Sequence, residues 1–495
     1  MFTILPKLAS RHDAELIVLP FWMKPKKAEA AASLGTLKDA VMSPIAAKDF
    51  KGEKGEKAVV YLSKEKEPRA LLLGLGKQEK VCVETLRRSY SEAVKFCQEK
   101  GIEKINVVLP DITEMRKVSA RETIEGVCEG ILLTNYKWEQ LVTLDEETVL
   151  LKEVTLIGAL EKDLAFVKRL ESIAEGVYLS RDLTNGNADD VTPQYLASVA
   201  KKMEQEFPSI HTTIFDKKRI EKEKLGLLLA VGRGSDHDPA FIIMSHKGAP
   251  RSKEHIVIVG KGVTFDTGGL NLKPTGSMET MRDDMSGSSV ALSTVTTAAA
   301  LGLPLNVTAV VPSAENCIDG KSFKPGDVYR CYNGTTVEIG NTDAEGRLLL
   351  ADALAYAAKN LKPTCMIDVA TLTGSIVVAL GDDIAGLFCN QDKLANELLH
   401  ASKRVAETLW RMPLHEAYDS KLKSDIADIK NIGGRPAGSI TAALFLQRFV
   451  GDIPWAHLDI AGTAFLSKEN GYWPKNGVGF GVRLLIDFLS HKKNS

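Results

Sequence analysis

Cysteine is scarce in this chain and shows no pairing pattern. Seven residues (Cys82, Cys97, Cys128, Cys317, Cys331, Cys365 and Cys389) are scattered through 495 positions with no C-x-x-C spacing. An odd, dispersed set suggests neither a disulfide framework nor a thiolate zinc site, and most of it reads as small buried hydrophobes. Net charge is lacking too: Lys plus Arg total 63 against 64 Asp plus Glu, leaving -1. No global field therefore draws the chain to nucleic acid or an anionic membrane, and only a local basic patch could do so. No apolar run approaches the ~18 residues of a membrane span. The opening MFTILPKLASRHDAELIVLP lacks the basic start, apolar run and cleavage site of a signal peptide. The expectation is a cytoplasmic protein with no membrane partner. The nine histidines form neither H-E-x-x-H nor H-x-E, and there is no G-x-S-x-G elbow and no Walker loop. Histidine-based zinc peptidase, serine hydrolase and P-loop chemistry lose their support.

What is present is the balance of a soluble globular protein, 44% hydrophobic and 26% charged. Single cores stop growing near roughly 250 to 300 residues, so this length implies two domains. In the first third AELIVLPF, KAVVYLS, RALLLGLG and KINVVLP read as strands, and VETLRRSYSEAVKFCQEKG has helical spacing. That alternation predicts an α/β domain with a largely parallel sheet. A helical pattern, LAFVKRLESIAEGVYLSR, carries the chain onward without a Pro/Gly-rich linker. We place an amino-terminal accessory domain at 1–165 and a larger domain at 166–495. The second holds further β-rich runs, among them HIVIVGKG, TTVEIGN, MIDVATL and HLDIAG, between long helices. The predicted class is α/β, two domains, each with a central mixed or largely parallel sheet flanked by helices.

Three stretches of the second domain concentrate charge where apolar residues surround it. In NTDAEGRLLL, Asp343, Glu345 and Arg347 crowd the entrance of an apolar segment. Thr342 and Glu345 fit a capping box, which alone would account for the pattern. Against this, Gly346 stands where a first helical turn favours a better helix former, at about 1 kcal/mol relative to Ala. The helix that follows is apolar on nearly every face except at Asp352, so the entrance charges lie in the interior, where unpaired ions cost several kcal/mol each. The second stretch, HIVIVGKGVTFDTGGLNLKP, places Lys261, Asp266 and Lys273 in a Gly-rich loop after a buried strand, where open α/β sheets bind ligands. In the third, Asp283 and Asp284 precede a long small-residue helix, a position the helix dipole alone would favour.

Together Asp266, Asp284, Asp343 and Glu345 form an oxygen-rich set suited to two divalent ions, with Zn, Mn, Mg or Co all admissible. An amine joins such a shell only when neutral, and nearby dications depress a lysine pKa. Lys261 thus qualifies as a ligand, and Lys273 remains as a cation for developing negative charge.

At NTDAEGRLLLADAL, VGKGVTFDTGGLNLKP and MRDDMSG, extended by DVATLTG, SDIADIKN and HLDIAGTA, the chain closely resembles the leucine aminopeptidase (cytosol aminopeptidase) family of two-metal peptidases. The resemblance spans about residues 170 to 490. It implies that Lys261, Asp266, Asp284 and Glu345 hold one metal and that Asp266, Asp343 and Glu345 hold the other, with Mn or Zn as the expected ions. It also implies removal of the amino-terminal residue, Leu or another apolar one, from peptides by a water bridging both metals. Lys273 would polarise the scissile carbonyl and Arg347 would hold a bicarbonate general base. Met281, Thr371, Gly374 and Ala461 would form the side-chain pocket, and six copies of the chain would assemble as a homohexamer. Two other readings stay open on the residues alone. One is a two-metal phosphatase or nucleotide hydrolase. The other is a binding module whose amino-terminal domain recognises a nucleotide-like ligand or nucleic acid.

Overall fold

The computed structural model describes residues 1–63, 65–111, 118–138 and 148–492. These fall into two compact units, Met1–Ala174 with Glu469–Pro474, and Glu175–Lys468 with Lys475–Ser495. The helix Leu164–Asn185 runs through the division, which lies inside it, whereas the sequence-based boundary at 165 and 166 falls at its start.

In the first unit five parallel strands stand in the order Phe2–Leu5, Glu153–Ile157, Lys104–Val108, Leu16–Trp22 and Arg69–Gly74. Lys57–Tyr61 adds an antiparallel edge, and a short Glu29–Ala30 strand pairs with the end of Leu16–Trp22. Leu16–Trp22 is buried at every position, as a parallel strand covered on both faces must be. The helices Val83–Glu99 and Ala120–Thr134 pack on one another.

The second unit is built on a mixed sheet of nine strands among the described residues. Its centre is parallel, in the order Trp455–Asp459, Cys365–Ala370, His255–Gly260, Asn306–Asn316. Antiparallel Ala240–Lys247 and Ile210–Phe215 extend one side, and Ile384–Cys389, itself beside Thr408–Arg411, extends the other. Gly262–Asp266 pairs with the far end of Asn306–Asn316. From His255–Gly260 the chain moves to Asn306–Asn316 on one side and later returns to Cys365–Ala370 on the other. Such a reversal opens a crevice beyond the carboxyl ends of the strands. Lys261, Asn316, Thr371 and Asp459 all lie at those ends. The TTVEIGN run stands apart from this sheet: Thr336–Glu338 belongs to a three-stranded sheet with Val328–Arg330 and Ile429–Lys430. With three residues and only its middle one buried, it covers one face and cannot serve as a central strand.

Two helices border the crevice, with charged residues at their amino-terminal ends. Ser286–Ala300 is buried from Ser286 through Ala298. Its small residues let it lie against the strands, since a Cβ on Gly287 would fall 2.1 Å from the Val369 carbonyl oxygen. The other helix, Gly346–Asn360, is buried on nearly every face. Its one interior acid, Asp352, is fully buried and accepts backbone N–H bonds from Leu227 (2.9 Å), Leu228 (2.9 Å) and Tyr332 (2.7 Å). The carboxylate thus supplies the missing acceptors at the start of the short Gly226–Val231 helix. Asp352→Ala strands two buried donors and one part-buried donor and is expected to lower stability by about 3 kcal/mol. Urea unfolding checks this, and an unchanged midpoint would show that the three N–H groups find other acceptors.

Candidate active site

Lys261 follows the central strand directly and turns inward, 3% exposed. Its ammonium lies 2.6 Å from Asp284 Oδ1 and 3.0 Å from Glu345 Oε1, and donates to the Thr371 carbonyl at 2.9 Å. Burial opposes this charge, yet Asp284 and Glu345, with Asp266 behind them, raise the amine well above its ordinary range. The side chain therefore fastens four segments of chain at one point.

Lys273, at the end of the Gly-rich loop, bridges a second pair of acids, 2.8 Å from Asp266 Oδ2 and 2.5 Å from Asp343 Oδ1. The loop can return on itself because Gly268 and Gly269 hold φ of 84° and 64°, in the left-handed region. Asp266 Oδ1 accepts from Gly268 N and from Asn316 Nδ2, both at 2.8 Å. Burial and the neighbouring Glu345 push Asp266 up to about 6 against the pull of the lysines. Burial likewise raises Asp284, while at Glu345 the lysine charges overcome burial and hold the carboxyl low.

The helix entrance differs from a capping box. The helix begins at Gly346 with Glu345 as its cap, in helical backbone geometry and without a side-chain cap bond. Thr342 instead donates to the Gly268 carbonyl at 2.6 Å and accepts from Asn271 N at 2.8 Å, tying the turn to the Gly-rich loop. Gly346 is accounted for by close approach: a Cβ there would lie 2.3 Å from Lys261 Cε and 2.7 Å from its Nζ.

Arg347 is buried, and burial brings its guanidinium down to about 10. Nη1 donates to the Asn431 carbonyl at 2.8 Å, while Nε has no partner among the described residues. Asn431 in turn accepts from Gly340 N (2.8 Å) and donates to Asn341 O (2.7 Å), bracing the turn before Asp343. Neither Asn316 nor Asn431 was singled out from sequence. Asn431 lay within the SDIADIKN block but carried no charge to draw attention to it.

Of the expected pocket residues, Thr371 and Ala461 stand in two loops knitted by buried Asp459, and Gly374 opens the helix Gly374–Leu380 that follows the first of them. Asp459 Oδ1 accepts from Leu372 N (3.1 Å) and Ala461 N (3.4 Å), and its Oδ2 from the Thr373 hydroxyl (2.7 Å). Thr371 also donates its hydroxyl to Asp284 at 2.8 Å. Gly374 is exposed and Ala461 half-buried. Met281, half-buried, opens the short 3-10 turn that ends just after Asp284 and is not part of this bonded group.

The residues fit divalent cations. Asp266, Asp343 and Glu345 each offer an oxygen within 4.8 Å of the others. Asp284 Oδ2 and Glu345 Oε2 are buried with no partner among the described residues. Buried carboxylate oxygens without partners are costly, and an all-oxygen set beside one amine suits Mn, Mg or Zn.

Comparison with known proteins agrees in extent and kind. The model of the cytosol aminopeptidase family, catalytic domain, matches residues 178–486, and that of the family's N-terminal domain matches residues 18–143. A probable cytosol aminopeptidase of Protochlamydia amoebophila is 50% identical over 99% of this chain and 98% of its own length. One from Chlamydia felis is 50% identical over 97% and 96%. Among solved structures, the bottromycin maturation enzyme BotP superposes with a TM-score of 0.85 at 32% identity, covering 96% of this chain and 99% of that one. The same enzyme in complex with Mn gives 0.84.

The packing at Gly346 is directly testable. Lys261 can yield to an added methyl only by shifting its contacts with Asp284 and Glu345, so Gly346→Ala is expected to lower aminopeptidase kcat/KM by about 100-fold, some 2.7 kcal/mol of transition-state stabilisation. Circular dichroism should remain native. Full activity in a folded variant would show that Lys261 has room to move.

Proposed function

The chain belongs to the cytosol aminopeptidase family, and on that premise we propose that this metal-dependent aminopeptidase removes amino-terminal Leu and other apolar residues from peptides. The observation that supports the reading most is the pair of buried, unpartnered oxygens on Asp284 and Glu345 beside the Lys261 amine. Asp266, Asp284 and Glu345, joined by Lys261 once a bound dication displaces its proton, would hold one cation, and Asp266, Asp343 and Glu345 the other. Divalent cations bound there would supply Lewis acidity and lower the pKa of an attacking water. Mn is supported by the relative that binds it, with Zn, Co and Mg as alternatives.

The protein's own groups do the rest. Lys273, fixed by Asp266 and Asp343, presents a positive charge to the scissile carbonyl as its oxygen becomes anionic. That charge is in place before reaction, so little reorganisation is required. Arg347 keeps Nη1 on the Asn431 carbonyl and leaves Nε free, an arrangement that suits a planar oxyanion such as bicarbonate as proton acceptor. Thr371, Gly374 and Ala461, with Met281 beside the metal-binding turn, would receive the apolar side chain. Their small volumes leave space for Leu or Met.

Among the described residues no helix is long and apolar enough to cross a membrane. We extend the reading to the cytoplasm and to a homohexamer of this chain. Exposed apolar side chains such as Val378 (89%) and Trp410 (61%) give such an assembly surface to cover.

Hydrolysis of a leucyl anilide should vanish on chelation and return with Mn, Zn, Co or Mg added singly, in an order that ranks the metals. Activity that survives exhaustive chelation would remove the metal-dependent mechanism. Ala461→Phe should raise the apparent KM for leucyl substrates at least ~10-fold more than for alanyl ones, about 1.4 kcal/mol of discrimination. Equal losses on both would take Ala461 out of the side-chain pocket.

A further inference from the structure

A cavity of about 860 Å³ opens in the first unit, independent of the peptidase site. It lies beyond the carboxyl ends of three adjacent parallel strands, Phe2–Leu5, Glu153–Ile157 and Lys104–Val108. That edge of an open α/β sheet is where ligands bind, because the strands end together and the following loops diverge. The volume is that of a small-molecule site.

Its described lining divides by chemistry. Leu8, Val108, Leu109, Ile124 and Ile157 make apolar walls. Lys7, Arg121 and Lys162 bring three cations, all exposed and so carried at little desolvation cost. Arg121 is braced, its guanidinium carbon 4.1 Å from the centroid of the Phe166 ring. It belongs to the first turn of the helix Ala120–Thr134, whose amino-terminal end adds partial positive charge. Two carboxylates, Asp111 and Asp163, also line the space, and Asp163 Oδ2 is engaged by Leu160 N at 2.9 Å.

A bare anion would meet the carboxylates as well as the cations, and a purely apolar molecule would leave the cations idle. The combination suits a ligand with a phosphate, sugar hydroxyls that a carboxylate can accept, and a flat apolar ring. We propose that this cavity binds a nucleoside phosphate, with Arg121, Lys7 and Lys162 on the phosphate, Asp111 on the ribose hydroxyls and the base against the Leu109 and Ile124 wall.

Calorimetric titration of the full-length, metal-loaded enzyme with ADP tests this, with adenosine and inorganic phosphate as separate probes. ADP should bind saturably and more tightly than either fragment. Arg121→Glu and Lys7→Glu should each weaken ADP by about tenfold or more, while leucyl anilide hydrolysis stays at the wild-type rate. Lys162→Glu serves as a further surface variant should one of these fail to fold. Absence of saturable ADP binding, or ADP binding that survives the charge reversals, overturns the proposal. So does phosphate matching ADP, which would reduce the site to a simple anion patch. A shift of a single-stranded oligonucleotide that the same reversals abolish, with no ADP binding, would assign the surface to nucleic acid instead.

Discussion

The buried ammonium of Lys261 is the constraint around which the larger unit closes. A charge this deep is tolerable only with partners at hydrogen-bonding distance. It finds them in Asp284, Glu345 and the Thr371 carbonyl, contributed by a 3-10 turn, a helix entrance and the end of a neighbouring strand. Each partner imposes its own demand. Glu345 can reach inward because Gly346 leaves the amine room, and Asp284 comes close because the small-residue helix Ser286–Ala300 lies directly on the strands. The site is therefore not a set of groups added to a finished fold; the packing of two helices against the sheet is what brings its charges within reach of one another.

Charge balance explains why this arrangement suits cations rather than mere stability. Lys261 and Lys273 each serve two carboxylates, so four acids share two ammonium groups. Two oxygens of this cluster, Asp284 Oδ2 and Glu345 Oε2, are left over, buried with no partner among the described residues. Replacing buried ion pairs by apolar residues is often neutral or stabilising, so a cluster with surplus negative charge has no evident structural purpose. Bound dications would supply the missing positive charge and turn the surplus into ligand capacity.

The charged residues were legible in sequence because each interrupts an apolar or Gly-rich context, which a local window detects. Asp266, Asp284, Asp343, Glu345, Lys261 and Lys273 stood out on that ground, and the structure brings all six into one network. Gly346 was legible as an anomaly but not as an explanation, since its neighbour Lys261 is remote along the chain. Neutral braces such as Asn316 and Asn431 leave no local signature, and their roles exist only once Asp266 and Arg347 are placed beside them. The capping-box reading of Thr342 shows the opposite failure. Its local pattern was present, but tertiary bonds to Gly268 and Asn271 outcompeted the helix end for the hydroxyl. Sheet membership behaved likewise, for Thr336–Glu338 has strand-like composition yet pairs outside the main sheet.

The two units place their openings by the same rule and fill them with different chemistry. Both use the carboxyl edge of parallel strands, where loops diverge. In the larger unit the edge is lined by buried ions whose pKa values are displaced, Asp266 and Arg347 chiefly by burial and Glu345 by the neighbouring lysines, the condition expected where bonds are made and broken. In the smaller unit the cations are exposed and the walls are apolar. Exposed charge attracts a ligand without activating it, because solvent screens the field that catalysis needs. The same topology thus separates into a reacting edge and a recognising edge, and burial of charge is the property that distinguishes them.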